Sequence, residues 1–205
     1  PLVGRDTDLA SLRHAANELM MGNGQMVSIM GEAGLGKSRL LAELRQSLIA
    51  DGHVTLRQGS SSEATSGGVE SKLGWYEGRS YSYETTTPFA PFIVLFKNLF
   101  ELQPGQSDAE QYELIRARIS EIAPGREDDL APFIANMIGV QTEGDAAQAL
   151  RYFEPPQMRE RVFNATLELL ERAAAERPQV IVIDDLHWVD PTSLDLLRDL
   201  MAITD

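Results

Sequence analysis

The sequence contains no cysteine among its 205 residues. This absence excludes disulfide bonds, thiolate metal sites and cysteine nucleophiles as sources of stability or chemistry. Because a chain without cysteine suits a reducing compartment, we expect a cytoplasmic location for it.

Basic residues are also few. The chain has 18 lysines and arginines against 31 aspartates and glutamates, which gives a net charge of −13. Proteins that bind nucleic acid or anionic membranes through general electrostatics need an excess of positive charge. The balance therefore predicts that this chain binds neither a membrane nor nucleic acid directly, and leaves room only for a small local basic patch.

Long apolar runs and targeting signals are missing as well. No stretch approaches the roughly 18–20 apolar residues that a membrane helix needs, and no N-terminal segment has the layout of a signal peptide. The hydrophobic fraction of 43% is sufficient for the core of one α/β domain. The sequence opens at Pro1 without a methionine and closes at Asp205 soon after a motif-rich stretch, so we expect a fragment of a longer protein.

Apolar residues at helical spacing alternate with short stretches of strand type. Strand-type or extended stretches are predicted at 25–30, 53–58, 73–83 and 180–183. Helical stripes lie at 9–19, 40–48, 93–100, 112–122, 130–138, 163–174 and 194–201. The segment 144–156 is a connector with no assigned structure. The alternation predicts an α/β fold with a mostly parallel sheet that helices cover on both faces.

The segment Gly31-Glu32-Ala33-Gly34-Leu35-Gly36-Lys37-Ser38 matches the eight-residue phosphate-loop pattern at every fixed position. Gly31 and Gly36 let backbone N–H groups converge on phosphate oxygens, and the loop opens into a helix N-terminus, which favours anions. Lys37 supplies a positive charge for the β- and γ-phosphates, and the Ser38 hydroxyl suits Mg²⁺. The alternative is a simple glycine-rich turn, but the strand-type stretch before the loop and the helix after it favour a nucleotide site.

Two carboxylates, Asp184 and Asp185, directly follow the apolar stretch 180–183. In phosphate-loop enzymes an acid at this point orients Mg²⁺, and Asp184 is the better candidate. Asp185 is the candidate general base that polarises the attacking water. The alternative interpretation of the pair is a solvated turn or a helix cap.

The residues after the acidic pair have simpler interpretations. His187 is a candidate sensor of the γ-phosphate or a candidate hydrogen-bond partner of the acid pair, but a structural histidine in a turn is the favoured interpretation. Trp188 is predicted to be a packing anchor rather than a substrate contact. Asp190 is predicted to cap the last helix, with Pro191 in its first position.

Three motifs together resemble the STAND branch of the AAA-type ATPases. They are Leu-Val-Gly-Arg-Asp at 2–6, the phosphate loop extended by Arg-Leu at 31–40, and Ile-Asp-Asp-Leu-His-Trp-Val-Asp-Pro at 183–191. The segments 77–83 and 88–92 are also similar to that group, which is found in bacterial LuxR-type transcriptional regulators and class III adenylate cyclases.

This resemblance implies a three-layer α/β/α P-loop NTPase core over residues 1–205, with a helical insertion at about 101–156. It implies ATP or ADP with Mg²⁺ as ligands, effector domains elsewhere in the same longer chain, and possible self-association on activation. The family continues with a sensor strand, a helical lid and a winged-helix domain, and this sequence stops before them. Adenine rather than guanine rests on the resemblance and on the absence of an Asn-Lys-x-Asp element.

The resemblance also places Val3 and Arg5 near the adenine. The candidate catalytic residues are Lys37 and Asp185, and the candidate Mg²⁺ ligands are Ser38 and Asp184. Leu35 is at a free position of the pattern and carries no assigned chemistry. The full candidate nucleotide-binding set is Val3, Arg5, Gly31, Ala33, Gly34, Leu35, Gly36, Lys37, Ser38 and Arg39.

An arginine finger cannot be assigned from the sequence. Arg39, Arg79 and Arg198 are the available residues, and surface ion pairing is the favoured role for each. The motifs are compatible with four functions: a slow ATPase switch in a signalling protein, a sensor of ATP and ADP that scarcely hydrolyses, a DNA-processing AAA module, and a small-molecule kinase. The net charge argues against the third, and no acceptor pocket or lid supports the fourth.

Overall fold

The computed structural model describes residues 4–32, 34–54 and 72–203. The described residues belong to two compact units. The first unit comprises the described part of 1–75 together with 177–180, and the second comprises 76–176 and 181–203. The chain therefore passes from one unit to the other within each of its two described strands.

Eight helices and two strands are present in the described part of the chain. The strands are β1 (Gly74–Arg79) and β2 (Gln179–Asp184). The helices are α1 (Asp6–Met20), α2 (Lys37–Ala50), α3 (Ala90–Leu99), α4 (Asp108–Ile122), α5 (Glu127–Ile138), α6 (Gly144–Leu150), α7 (Pro155–Glu176) and α8 (Pro191–Ile203). None of these helices combines the length and apolar character needed to cross a bilayer.

The two strands pair side by side in a parallel sheet. The N–H of Gly74 donates to the carbonyl of Pro178 at 2.9 Å, and the N–H of Ser80 donates to the carbonyl of Asp184 at 3.1 Å. Both partners advance by six residues between these bonds, which is the register of parallel strands. The predicted α/β class is confirmed.

The first unit is built on the contact between α1 and α2. Both helices carry buried apolar residues at helical spacing, and these meet in one cluster. Its buried members are Leu12, Ala16, Leu40, Leu44, Leu48, Val54 and Leu73. This packing holds the start of α2, and with it the end of the glycine loop.

The second unit has the larger core, formed mainly by α3, α4, α5 and α7. Its fully buried side chains include Phe92, Phe96, Ile115, Ile119, Ile134, Leu169 and Leu196. Ser107 begins α4 with a capping box, in which its hydroxyl accepts from the Glu110 N–H while the Glu110 carboxylate accepts from the Ser107 N–H. The helical stripes predicted for this region are therefore confirmed.

One local prediction is wrong. The segment 25–30 forms no strand, and Met26, Val27 and Met30 are 67%, 49% and 86% exposed. An apolar stretch becomes a strand only when a second strand supplies hydrogen bonds, and among the described residues none pairs with it. The segment 144–156, to which the sequence assigned no structure, contains α6 and the start of α7. Most of the predicted strand 53–58 lies outside the described residues.

Candidate functional site

The glycine loop belongs to the first unit, and its backbone depends on glycine at two described positions. Gly34 and Gly36 have φ angles of 81° and 79°, in the left-handed region that side chains rarely adopt. Gly36 is also the N-cap of α2, so the helix starts at Lys37 directly behind the turn. The first N–H groups of a helix lack intrahelical partners, so a helix that starts directly behind a glycine loop favours an anion held in that loop.

Lys37 lies against the loop itself. Its Nζ donates to the carbonyl oxygens of Gly31 at 2.8 Å and Glu32 at 3.0 Å. An ammonium held by neutral carbonyls binds more strongly to a charged phosphate oxygen, because charge-assisted hydrogen bonds are the stronger kind. The lysine is therefore already directed toward the loop in which a phosphate would bind.

Arg5 is the second cation that reaches the loop. Its Nη2 donates to the Leu35 carbonyl at 2.8 Å, and its Nη1 lies 3.4 Å from Asp8 Oδ2. The structure thus brings together Arg5 and the phosphate loop, thirty residues apart in the sequence. The adenine-side role of Arg5 stays a prediction.

The other described candidate residues of the loop and of the first turn of α2 lie at the surface. The Leu35 side chain is 53% exposed. Arg39 Nε lies 3.9 Å from Glu43 Oε1 on the surface of α2, which agrees with the favoured role in surface ion pairing. Ser38 is exposed in the first turn of α2. Val3 and Ala33 lie outside the described residues.

The acidic pair belongs to the second unit. Asp184 is the last residue of β2, and Asp185 follows it with a φ of 56°. This left-handed conformation costs a non-glycine residue on the order of 1–2 kcal/mol, so the surrounding contacts must sustain it. One such contact is local, since the Asp185 N–H donates to Asp184 Oδ1 at 2.9 Å.

The Asp185 side chain forms an ion pair with Arg79, the last residue of β1. Arg79 Nε and Nη2 lie 3.1 and 2.9 Å from the same oxygen, Asp185 Oδ2. This hydrogen bond raises the pKa of Arg79 above its usual value, and burial opposes the shift. Asp185 is the N-cap residue of the short turn after β2, but its side chain makes no capping hydrogen bond. The Asp185 carboxylate therefore pairs with Arg79 and does not cap the turn.

The three residues after Asp185 form a 3-10 turn, Leu186–Trp188. Trp188 is 42% exposed and lies beside His187, with ring centroids 5.0 Å apart. The prediction of a packing anchor is therefore wrong, because this short turn leaves the indole at the surface. His187 is also exposed in the turn.

Asp190 is buried and caps α8, as the sequence predicts. Its Oδ1 accepts from the Ser193 N–H at 2.9 Å, and its Oδ2 accepts from the Ser193 hydroxyl at 2.5 Å. The Phe89 N–H, at the start of α3, also donates to Oδ1 at 3.4 Å. One carboxylate thus holds the starts of two helices.

The oxygen donors can be tested for their fit to Mg²⁺. The described residues contain no group of three or more histidine, cysteine, aspartate or glutamate side chains arranged to hold a metal ion. Mg²⁺ in phosphate-transfer sites takes one or two carboxylates and completes its shell with waters and substrate phosphates. Ser38 in the first unit and Asp184 in the second each carry an oxygen donor of the kind that Mg²⁺ takes.

Comparisons with known proteins give three findings. The sequence model of a family described as AAA ATPase domain matches residues 1–205. An uncharacterized protein of Rhizobium meliloti (strain 1021) is 28% identical over 206 aligned positions, which cover 99% of this chain and 17% of that protein. The chain thus spans less than a fifth of the length of this relative. No solved structure matches the chain.

Proposed function

The chain belongs to the AAA ATPase domain family, and we propose that it binds ATP with Mg²⁺ and hydrolyses it slowly. The observation that carries this proposal is the glycine loop. Gly34 and Gly36 adopt left-handed backbone angles, and Lys37 is bent onto the loop carbonyls at the start of α2. This is the local geometry that a phosphate chain requires.

We assign the roles within the site as follows. The loop residues Gly31, Ala33, Gly34, Leu35, Gly36 and Ser38 surround the phosphates, and Lys37 neutralises the β- and γ-oxygens. Ser38 and Asp184 hold Mg²⁺, which supplies charge stabilisation to the phosphates when it is bound. Asp185 is the base toward the attacking water, while Val3 and Arg5 lie toward the adenine. Arg39 completes the nucleotide-binding set.

The proposed biological role is a regulatory module of a larger signalling protein, such as a transcriptional regulator or a cyclase-linked protein. Support comes from the STAND-like motifs and from the relative, of which this chain spans only 17%. Binding and hydrolysis would then toggle effector domains in the same longer chain, because the γ-phosphate and Mg²⁺ hold mobile elements in place. Self-association on activation belongs to the same proposal.

A second candidate is a sensor that binds ATP or ADP and scarcely hydrolyses. The Arg79–Asp185 ion pair favours it, because a carboxylate engaged by arginine is a weaker acceptor toward water. Phosphate release from Asp185→Asn separates the two candidates. A slow ATPase loses roughly 100-fold or more of its turnover without this base, whereas unchanged release would contradict the base role.

The test of nucleotide binding is calorimetric titration of ATP and of ADP, each with Mg²⁺, into nucleotide-stripped protein. We expect Lys37→Ala to abolish binding, and Lys97→Ala, which removes an exposed lysine from α3, to leave it unchanged. The preference between ATP and ADP would identify the resting ligand. Folded wild-type protein that binds neither nucleotide would refute the proposed function.

A further inference from the structure

The segment that follows β1 presents an aromatic ring to solvent. Tyr83 is 75% exposed, and its ring stacks on the ring of Tyr81 with centroids 5.3 Å apart and planes inclined by 17°. Among the described residues, no second ring, guanidinium or ammonium stacks on Tyr83. A single exposed aromatic side chain is common on protein surfaces, so what distinguishes this one is how firmly it is held and which charges surround it.

Two hydrogen-bonded turns hold the backbone of Tyr83. The Glu84 N–H donates to the Tyr81 carbonyl at 2.9 Å, which closes a four-residue turn with Tyr83 in its third position. A second turn begins at Glu84, whose carbonyl accepts from the Thr87 N–H at 2.8 Å. Because the backbone is already fixed in these turns, little conformational entropy is lost when the exposed ring binds a partner.

Tyr81 connects the exposed ring to the sheet. It lies two residues after Arg79, the last residue of β1, whose guanidinium carbon is 5.6 Å from the centroid of the Tyr81 ring. That distance is within the range of a cation–π contact. Arg79, Tyr81 and Tyr83 together are called the aromatic stack below, and all three belong to the second unit. One end of the stack is anchored to the sheet, and the other end is the exposed Tyr83.

The charge of the second unit determines which ligand suits the exposed ring. This unit holds 22 aspartates and glutamates against 10 lysines and arginines, so it carries 12 of the 13 net negative charges of the chain. Glu84 directly follows Tyr83 in the sequence, and no lysine or arginine occurs between Arg79 and Lys97. The charge of Arg79 itself is offset by Asp185. The surroundings of the stack therefore attract cations and repel the phosphates of nucleic acids.

We propose that Tyr83 binds an arginine side chain from an arginine-rich segment of a partner protein. A guanidinium is planar and permanently charged, so it both stacks on an aromatic face and is attracted by an acidic surface. The contact of Arg79 with Tyr81 shows the same pairing within the chain. This surface is separate from the phosphate loop, because the loop belongs to the first unit and the whole stack to the second.

The binding test uses the whole chain and a fluorescein-labelled peptide of alternating arginine and glycine, with fluorescence anisotropy as the measurement. We expect the Kd to rise roughly two- to fivefold in Tyr83→Ala, the usual effect of one exposed cation–π contact. Tyr83→Phe should bind as the wild type does, because phenylalanine keeps the aromatic face. The matched control is Tyr152→Ala, since Tyr152 is 73% exposed in the same unit but lies outside the stack. Lys37→Ala should also leave peptide binding unchanged, which separates this surface from the nucleotide site.

Two further probes identify the chemistry of the ligand. A peptide with citrulline in place of each arginine keeps the planar side chain but loses its charge, so it should bind much more weakly. Equal affinity for the two peptides would overturn the proposal, because stacking without charge would then be sufficient. Tighter binding of a single-stranded oligothymidylate than of the arginine peptide would overturn it too, since the exposed ring would then bind bases.

A spectroscopic measurement requires no substitution. In protein labelled with ¹³C in its tyrosine rings, the arginine peptide should shift the ring signals of Tyr83 and leave those of Tyr152 in place. A Tyr83 signal that does not move would contradict the proposal, as would an unchanged Kd in Tyr83→Ala that circular dichroism shows to be folded. Folded wild-type protein that binds no arginine peptide would overturn it as well, whatever its affinity for ATP.

Discussion

Gly36 shows how a single residue sets the phosphate loop. Its φ of 79° lies in a region that costs any L-amino acid with a Cβ about 1–2 kcal/mol. A Cβ built on Gly36 meets no atom within 4 Å, so the strain is in the backbone and not in crowding. Because Gly36 caps α2, a shift in its backbone redirects the first N–H groups of the helix.

The first prediction concerns this residue. Gly36→Ala should weaken ATP binding roughly tenfold. The variant loop is either strained in the left-handed conformation or adopts another conformation that binds phosphate less well. The measurement is calorimetric titration with ATP and Mg²⁺. Gly52→Ala is the matched control, since Gly52 has a φ of 72° with open space around it but follows the C-terminal end of α2. Equal losses of affinity in both variants would contradict the role of the loop.

At the scale of elements, β1 depends on a close approach to its neighbours. A Cβ on Gly78 would lie 2.9 Å from Ile183 Cδ1 and would collide with the carbonyl oxygen of Pro91. Ile183 belongs to β2, and Pro91 lies in the first turn of α3. The backbone of Pro91 cannot move aside without a large cost in free energy. Position 78 therefore requires glycine because of close packing and not because of its φ angle.

The second prediction compares two glycines of the same strand. Gly78→Ala should lower the free energy of unfolding by about 1–3 kcal/mol, the usual cost of overpacking. Gly74→Ala should cost less, because its Cβ meets only the flexible end of the Gln179 side chain, which can adopt another rotamer. Chemical denaturation of both variants measures these free energies. Equal losses of stability in the two variants would contradict the prediction, because they would mean that the backbone shifts and relieves the clash with Pro91.

The third prediction concerns the contact between α5 and α7. Arg126, the N-cap of α5, donates to Glu168 of α7 through Nε at 2.9 Å and Nη2 at 3.0 Å. The hydrogen bond from Arg126 lowers the pKa of Glu168 in the folded protein. The stabilisation is therefore present above the unfolded pKa of about 4.3 and is lost as the pH falls through the lowered folded value.

Melting temperatures measured from neutral to acidic pH test this dependence. Glu168→Gln should melt below the wild type at neutral pH, and the difference should shrink as the pH falls below about 4. Glu171→Gln, which changes an exposed glutamate of the same helix, is the control and should show no such convergence. A constant difference across the pH range would contradict the linkage.

At the scale of the whole molecule, the chain has two compact units with separate apolar clusters. The glycine loop belongs to the first unit, and the acidic pair with Arg79 belongs to the second. A ligand that binds only the folded protein stabilises it by mass action, whatever the number of its contacts. Nucleotide binding should therefore be visible in the stability of the chain.

The fourth prediction uses this linkage. ATP with Mg²⁺ at about 100 times its Kd should stabilise the folded protein by about 2.7 kcal/mol, which raises the melting temperature by roughly 5–10 °C for a chain of this size. Differential scanning fluorimetry is the measurement. Lys37→Ala should show no rise, whereas Lys97→Ala should match the wild type. A rise that survives in Lys37→Ala would show that the ligand binds elsewhere.

Much of the local structure follows from the sequence. The stripes at 112–122 and 130–138 predict α4 and α5 because helix formation depends on residues three and four apart. Asp190 and Pro191 predict the start of α8 for the same local reason, since capping joins residues within one turn. The unusual backbone conformation of Gly36 is also predicted from the sequence, because a phosphate loop needs a residue without a Cβ where its backbone turns.

Other features were decided only by the tertiary structure. The sequence could not pair Arg79 with Asp185, which are 106 positions apart, because their contact depends on the parallel register of β1 and β2. The exposure of Trp188 depends on the turn that follows β2. The apolar composition of 25–30 did not produce a strand, since a strand needs a partner that its own residues cannot supply. Interactions within a few residues are thus encoded locally, whereas contacts between distant segments exist only once the chain is folded.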